Sequence, residues 1–254
     1  MTWQDLLLGI LVGGVLSPIV TTLMDRIPDA ESLRPRPRCA SCAAPIAWGD
    51  QIPVISWLVL RGRCRACGEA IGGRYAVAEL LCIASTIVVV AQPWPLLLTA
   101  TWALFIPVGV ALAFIDLRHK RLPNVLTLRS AALVAAMLAL EAFPDDWSLW
   151  IRALEGGAVL FVLYLLMNLL TGGAMGMGDV KLALSIGLLT GYLGWFHLIV
   201  ASLIAFVAGG VASAALLFTR RAGRRSTIPF GPFMLLGLIT VVPFFTAIRD
   251  LLLA

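Results

Sequence analysis

Only one long polar stretch interrupts this chain, residues 25–74. The rest is a series of apolar runs separated by short polar turns. A bilayer's hydrocarbon core is about 30 Å thick, and crossing it takes a helix of about 20 apolar residues, because nothing inside can satisfy a free backbone group. Runs at 6–24, 76–91, 96–115, 125–143, 150–170 and 233–253 approach or reach that length. The run at 182–218 would be about 55 Å long as one helix, too long for one crossing and short for two. Gly191, Gly194 and Trp195 mark a break there, giving a short sixth span and a seventh from about residue 196. Charged residues make up 13% of the chain, against about 25% in soluble domains. The expected fold is an all-α polytopic membrane protein with about eight transmembrane helices. The first run lacks a basic leader region and a small-residue cleavage site, so it reads as a retained span rather than a signal peptide.

Basic residues collect on the cytosolic side of membranes. With eight spans and the N-terminus outside, 17 of the 19 Lys and Arg fall on one side, including Arg220, Arg221, Arg224 and Arg225; only Arg152 and Arg249 fall on the other. A single crossing at 182–218 would put those four arginines outside, which favours two. The net charge of +5 is therefore a topological signal, and no nucleic-acid partner is expected.

The polar stretch holds Cys39-x-x-Cys42 and Cys64-x-x-Cys67, separated by 21 residues, the spacing of a four-thiolate zinc site. Disulfides are rare on the cytosolic side, which favours metal over two bridges or a redox dithiol. A region of about 50 residues with few large apolar side chains needs such a staple. The expected organisation is a first span at 1–24, a cytosolic four-cysteine zinc-binding domain of short strands and turns at 25–75, and a membrane core at 76–254. Four ligands leave no open position for substrate, so the metal reads as structural. Cys82, alone in the second span, reads as a small buried hydrophobe. Gly9 and Gly13 are spaced as a close-packing face, and Pro18 is expected to kink or interrupt span 1 unless it lies near that span's break.

Two acids remain to be explained. Asp179 lies in Gly176-Met177-Gly178-Asp179-Val180-Lys181, between two apolar segments. A charge at the bilayer centre costs roughly 2.5–3.5 kcal/mol on insertion scales, so an acid near a span suggests function. The plainer alternative is a helix-capping Asp after a glycine-rich turn. Gly176 and Gly178 let another backbone approach closely, and Lys181 would favour an ionised Asp179 if the two met. Asp116 ends the third span; alone it reads equally as an interfacial charge paired with Arg118 or Lys120. Two spans separate the acids, so both return to the same membrane face. Two carboxylates in one site do not both ionise easily: one keeps a proton as acid while the other activates water. Glu79 and Glu141 are expected to reach the interface. His119 and His197 form no zinc-protease pair, and no nucleophile-elbow serine, Walker loop or dinucleotide fingerprint occurs.

Taken together these residues resemble the type IV prepilin peptidases, within the GxGD membrane aspartyl proteases. The likeness covers nearly the whole chain. It rests on Gly176 to Leu182, Asp116 with Leu122-Pro123-Asn124, and the two cysteine pairs around Ile52-Pro53-x-x-Ser56-Trp57. Arg61-Gly62-Arg63-Cys64, Arg74-Tyr75 with Glu79, and Pro229-Phe230-Gly231-Pro232-Phe233 also match. The resemblance implies removal of the basic leader from prepilins and type II secretion pseudopilins at the cytosolic face of the bacterial cytoplasmic (inner) membrane. It implies Asp116 and Asp179 as the catalytic pair. It also implies N-methylation of the new N-terminus by S-adenosylmethionine, for which no residue pattern here marks a site. The chain departs from the family pattern at Ser17-Pro18 and Thr21, where Gly-Ser and a following Asn are usual, and at Ala76, where proline is usual. A GxGD protease for another membrane peptide, or a proton-coupled transporter using the same acids, is the alternative. Acids at the membrane boundary and the absence of a repeat argue against transport.

Overall fold

The computed structural model describes residues 2–28, 38–39, 41–143, 146–173, 175–219 and 229–253, with side chains described as far as Pro243. It is all helical: α1 (Trp3–Arg26), α2 (Ile55–Val59), α3 (Arg74–Val90), α4 (Leu96–His119), α5 (Asn124–Ala142), α6 (Trp147–Leu170), α7 (Met177–Leu193), α8 (Trp195–Phe218) and α9 (Gly231–Leu253). All but α2 are long. By length and composition α1, α4, α5, α6 and α8 suffice to cross a membrane. At 17 residues, α3 and α7 lie at the lower edge of the spanning range. The chain is a multi-pass membrane protein. The expected break in 182–218 falls at Gly194, whose φ of +137° ends α7 and admits α8 one residue later. The arginines at 220–225 and the turn at 144–145 lie outside the described residues.

At the centre stands α7. It touches α5, α6, α8 and α9 and is buried on every side, which explains why its apolar residues show no stripe. Its largest contact is with α6, made backbone to backbone. A Cβ on Gly156 of α6 would fall 2.6 Å from the Gly187 carbonyl oxygen and 2.8 Å from Gly191 Cα. Between helices in lipid, where apolar burial supplies little drive, such close approach is what dispersion and packing require. Gly9 and Gly13 do the same for α1: their Cβ atoms would meet Ile87 Cα at 2.7 Å and Ile83 Cα at 2.8 Å. Arg152, one of the two basic residues expected on the far face, satisfies the end of α7. Its Nε donates to Gly191 O (3.0 Å) and its Nη2 to Tyr192 O (2.6 Å).

Of the two effects expected of Pro18, a kink or an interruption, the second does not occur: α1 runs through it. The carbonyl that Pro18 cannot bond, Gly14 O, accepts instead from Ser17 Oγ at 3.2 Å. The cysteine region contains no strands among its described residues. It has two isolated bridges, Arg38 with Pro45 and Arg63 with Ala70, a short 3-10 turn at Trp48–Gln51, and α2. Trp57 is its small core: the indole N–H donates to Ile71 O (3.0 Å), and Gly62, at φ +65°, leaves room for the ring. At its neck, Tyr75 Oη donates to Asp25 Oδ1 and accepts from Arg74 Nη2, both at 2.8 Å, joining the end of α1 to the start of α3.

Replacing Gly156 with Ala should lower the thermal stability of the detergent-solubilised protein by about 1–3 kcal/mol, because backbone cannot yield to the methyl. Gly210→Ala on α8, with nothing within 4 Å, should leave it unchanged or slightly higher. Equal losses in the two melting curves would contradict the packing described.

Candidate active site

Three helix termini meet at one end of the bundle. Asp116 lies three residues before the end of α4, which closes on Lys120 in the left-handed region (φ +50°) with its N–H on Asp116 O at 2.8 Å. Asp179 lies in the first turn of α7, after the N-cap Gly176. The third terminus is that of α9, whose first residue, Gly231, donates its N–H to Asp116 Oδ2 at 3.0 Å. Both carboxylates are buried, Asp116 to 5% and Asp179 to 7% exposure. One side chain joins their surroundings: Leu122 packs against Gly178, next to Asp179, and against Gly231, which bonds Asp116.

The positions of the glycines follow from this crowding. A Cβ on Gly231 would sit 3.0 Å from Asp116 Oδ2, and one on Gly176 would sit 3.3 Å from Asp179 Oδ2. Leu122, in the turn between α4 and α5, wedges the three termini together. Its Cβ is 2.6 Å from where a Gly178 Cβ would be, and its Cδ1 is 3.6 Å from that of Gly231. Asp179 stands where a helix dipole favours a carboxylate, yet its Oδ1 is buried with no hydrogen-bond partner among the described residues. The carboxylate meets the backbone of its own N-cap, Gly176, on one side, as a capping acid does, and only Oδ1 is left open. An acceptor left open here has room in its chemistry for water or a substrate group.

Lys181 does not approach Asp179 as an ion pair among the described residues. Its Nζ donates to Asn124 Oδ1 at 2.7 Å, tying α7 to the first residue of α5. Glu79 does not simply reach the interface either: its Oε2 accepts the Val54 N–H at 2.8 Å, so it holds the cysteine region against α3. Asn168 on α6 went unmarked in the sequence. Its carbonyl accepts from Gly173 N at 2.8 Å and its Nδ2 donates to Met175 O, so one buried residue clamps both sides of the turn that leads to Asp179. An Asn ending a span just before a glycine-rich turn was the available signal. For Gly231 the signal was a glycine between two prolines at a helix start, where free N–H groups are expected.

Cys39, Cys42, Cys64 and Cys67 converge, all four Sγ atoms within 4.8 Å of one another, and Cys39 and Cys67 at 3.9 Å. Four thiolates about 2.3 Å from one ion would stand about 3.8 Å apart, so the donor set fits a tetrahedral metal. The two knuckles repeat one geometry. Cys39 N and Cys64 N donate to Ala44 O and Glu69 O, while Ala43 and Gly68, each four residues after its cysteine, both take positive φ. The backbone amides of Cys42 and then Ser41 pull the Cys39 thiol down to about 6, whereas Cys67, despite the Glu69 amide, is pushed up to about 12 by burial and the three sulfurs beside it. Cys82 is fully buried in α3, as expected.

Comparison with known proteins is consistent with this layout. Residues 7–93 match the bacterial peptidase A24 N-terminal domain, and residues 103–214, which carry both acids, match the type IV leader peptidase family. A prepilin leader peptidase/N-methyltransferase of Aeromonas salmonicida is 37% identical over 206 residues, covering 79% of this chain and 68% of that protein. The chain belongs to the type IV leader peptidase family. Relatives of the same name from Myxococcus xanthus and Pseudomonas aeruginosa are 34% and 32% identical, covering 86% and 90% of this chain and 64% and 85% of theirs. No solved structure matches the chain. In this leader peptidase family member the four cysteines fall in the first matched segment and the acids in the second, while Gly231, which bonds Asp116, lies beyond both.

Cobalt loading tests the thiolate cluster. The protein should take up one Co²⁺ per chain with the thiolate charge-transfer bands of a tetrahedral site. Cys64→Ser should weaken those bands and Cys82→Ser should not. Bands that survive loss of Cys64 unchanged would place the metal elsewhere.

Proposed function

We propose that the chain is a membrane aspartyl endopeptidase that removes the leader of prepilins and related pseudopilins, with Asp116 and Asp179 as its catalytic pair. The observation that carries this reading is the meeting of two buried carboxylates from α4 and α7 at one end of the bundle, one of them with an open acceptor oxygen. In the working state the pair holds one proton. The ionised carboxylate takes a proton from water as the oxygen attacks the scissile carbonyl carbon, and the protonated one donates to the carbonyl oxygen. The tetrahedral intermediate then collapses: one of its hydroxyls returns a proton to the ionised carboxylate as the C–N bond breaks, and the protonated carboxyl gives its proton to the leaving amine, so the pair again holds one proton. Gly178 admits Leu122, and Gly176 leaves the Asp179 carboxylate its place, so both glycines set the position of the acid.

The site is read as facing the cytosol. Arg118, Lys120 and Arg121 follow Asp116 directly, and the distribution of basic residues puts the N-terminus of α1 outside. The membrane is read as the bacterial cytoplasmic one. The four-cysteine cluster is read as a structural zinc site, set on a different part of the fold from the acids. The names of the relatives further support methylation of the new N-terminus. S-adenosylmethionine, when bound, supplies an electrophilic methyl group to that amine, and no residue of this chain is assigned to hold it.

Asp116→Asn and Asp179→Asn, reconstituted with a prepilin carrying its leader, should each lose cleavage by at least about a hundredfold while keeping the wild-type melting curve. Asp146→Asn, which removes a carboxylate but keeps an acceptor for the Ser148 N–H at the N-cap of α6, should cleave normally. Cleavage surviving in either of the first two variants would overturn the assignment.

A further inference from the structure

The cysteine region carries an apolar face that its own small core does not use. Ile55, Leu58 and Val59 lie on one side of α2, spaced three and four residues apart, and are 58%, 61% and 70% exposed. Trp57, on the other side, turns inward to Ile71. Before the turn at Val54, Ile52 and Trp48 are also exposed, 49% and 75%. Five large exposed apolar side chains within twelve residues exceed the scatter of single exposed residues found on soluble domains.

What lies beside this face decides its partner. Trp48, Ile52 and Pro53 form one wall of a groove of about 430 Å³ whose other wall is Leu11, Gly14 and Val15 of α1. That wall belongs to a membrane-spanning helix, on the side turned away from Gly9 and Gly13, which face α3. Pro18, at the edge of the same groove, stands eight residues before Arg26, about 12 Å along the helix. Half of a hydrocarbon core is about 15 Å. A chain segment packed beside Pro18 and the residues before it therefore lies at the depth of acyl chains, not of water.

We propose that Trp48, Ile52, Ile55, Leu58 and Val59 form a lipid-facing surface that seats the four-cysteine region against the acyl chains beside α1. The details agree with that environment. The one acid in segment 48–60, Asp50, is neutralised by a bidentate Arg65, with Nη2 to Oδ1 at 2.6 Å and Nε to Oδ2 at 2.8 Å. Arg61 and Arg63 follow the stripe directly, where anionic headgroups would meet them. The attachment is rigid. Val54 makes a tight turn at φ +60°, with Ile55 N on Pro53 O at 2.5 Å, and the Glu79 carboxylate holds its N–H from α3. The surface is thereby fixed relative to the spans.

The test uses the full chain in lipid nanodiscs, labelled with 5-fluorotryptophan, without substrate. Trp48→Phe identifies the Trp48 fluorine signal, and the signal of Trp102, fully buried in the bundle, checks that the variant keeps the fold. A nitroxide on the lipid acyl chain should remove most of the Trp48 signal, and a water-soluble gadolinium chelate should leave it intact. The reverse pattern would put the surface in water and overturn the proposal. A signal spared by both agents would also overturn it, showing that protein, such as a second copy of the chain, covers the face.

Discussion

Two carboxylates are buried inside a bundle whose surroundings are oil. Each would cost a few kcal/mol if left at the bilayer centre. The fold meets that cost by placing both at helix termini on one end of the bundle. There, backbone N–H groups are free, and a first-turn acid has the helix dipole in its favour. Asp116 receives the first N–H of α9, and Asp179 sits in the first turn of α7. Most of the architecture near the site follows from holding three termini within reach of each other. Leu122 wedges them, glycines at 176, 178 and 231 leave the space, and Asn168 fixes the turn that delivers Asp179.

The same need for close approach shapes the rest of the bundle. The α6–α7 contact is made through Gly156, Gly187 and Gly191, and the α1–α3 contact through Gly9 and Gly13. With glycine at each of these points, α7 is enclosed on every side and can carry an acid at its start without exposing it to lipid. Its far end is closed by Arg152, whose guanidinium satisfies two carbonyls. That explains a basic residue on the face where such residues are scarce: it serves a helix end.

Much of this was legible in the sequence because it rests on local rules. Apolar run lengths located the long helices, Gly194 marked the break between α7 and α8, and the cysteine spacing anticipated the converging thiols. The even number of spans between Asp116 and Asp179 put them at the same end. Long-range pairings were not legible. Gly231 bonds an acid 115 positions away, Glu79 reaches Val54 across 25 positions, and Lys181 turns to Asn124 instead of its neighbour Asp179. Pro18 does not interrupt α1, and Ser17 from the adjacent position occupies the carbonyl that the proline leaves unbonded.

Asp116 and Asp179 are proposed to work as a pair sharing one proton. The pH–rate profile of leader cleavage by the reconstituted protein tests it most directly. A shared proton predicts a bell. The rate should fall on the acid side, where the base carboxylate becomes protonated, and on the alkaline side, where the acid one loses its proton. A profile with a single limb, governed by one ionisation alone, would contradict the account.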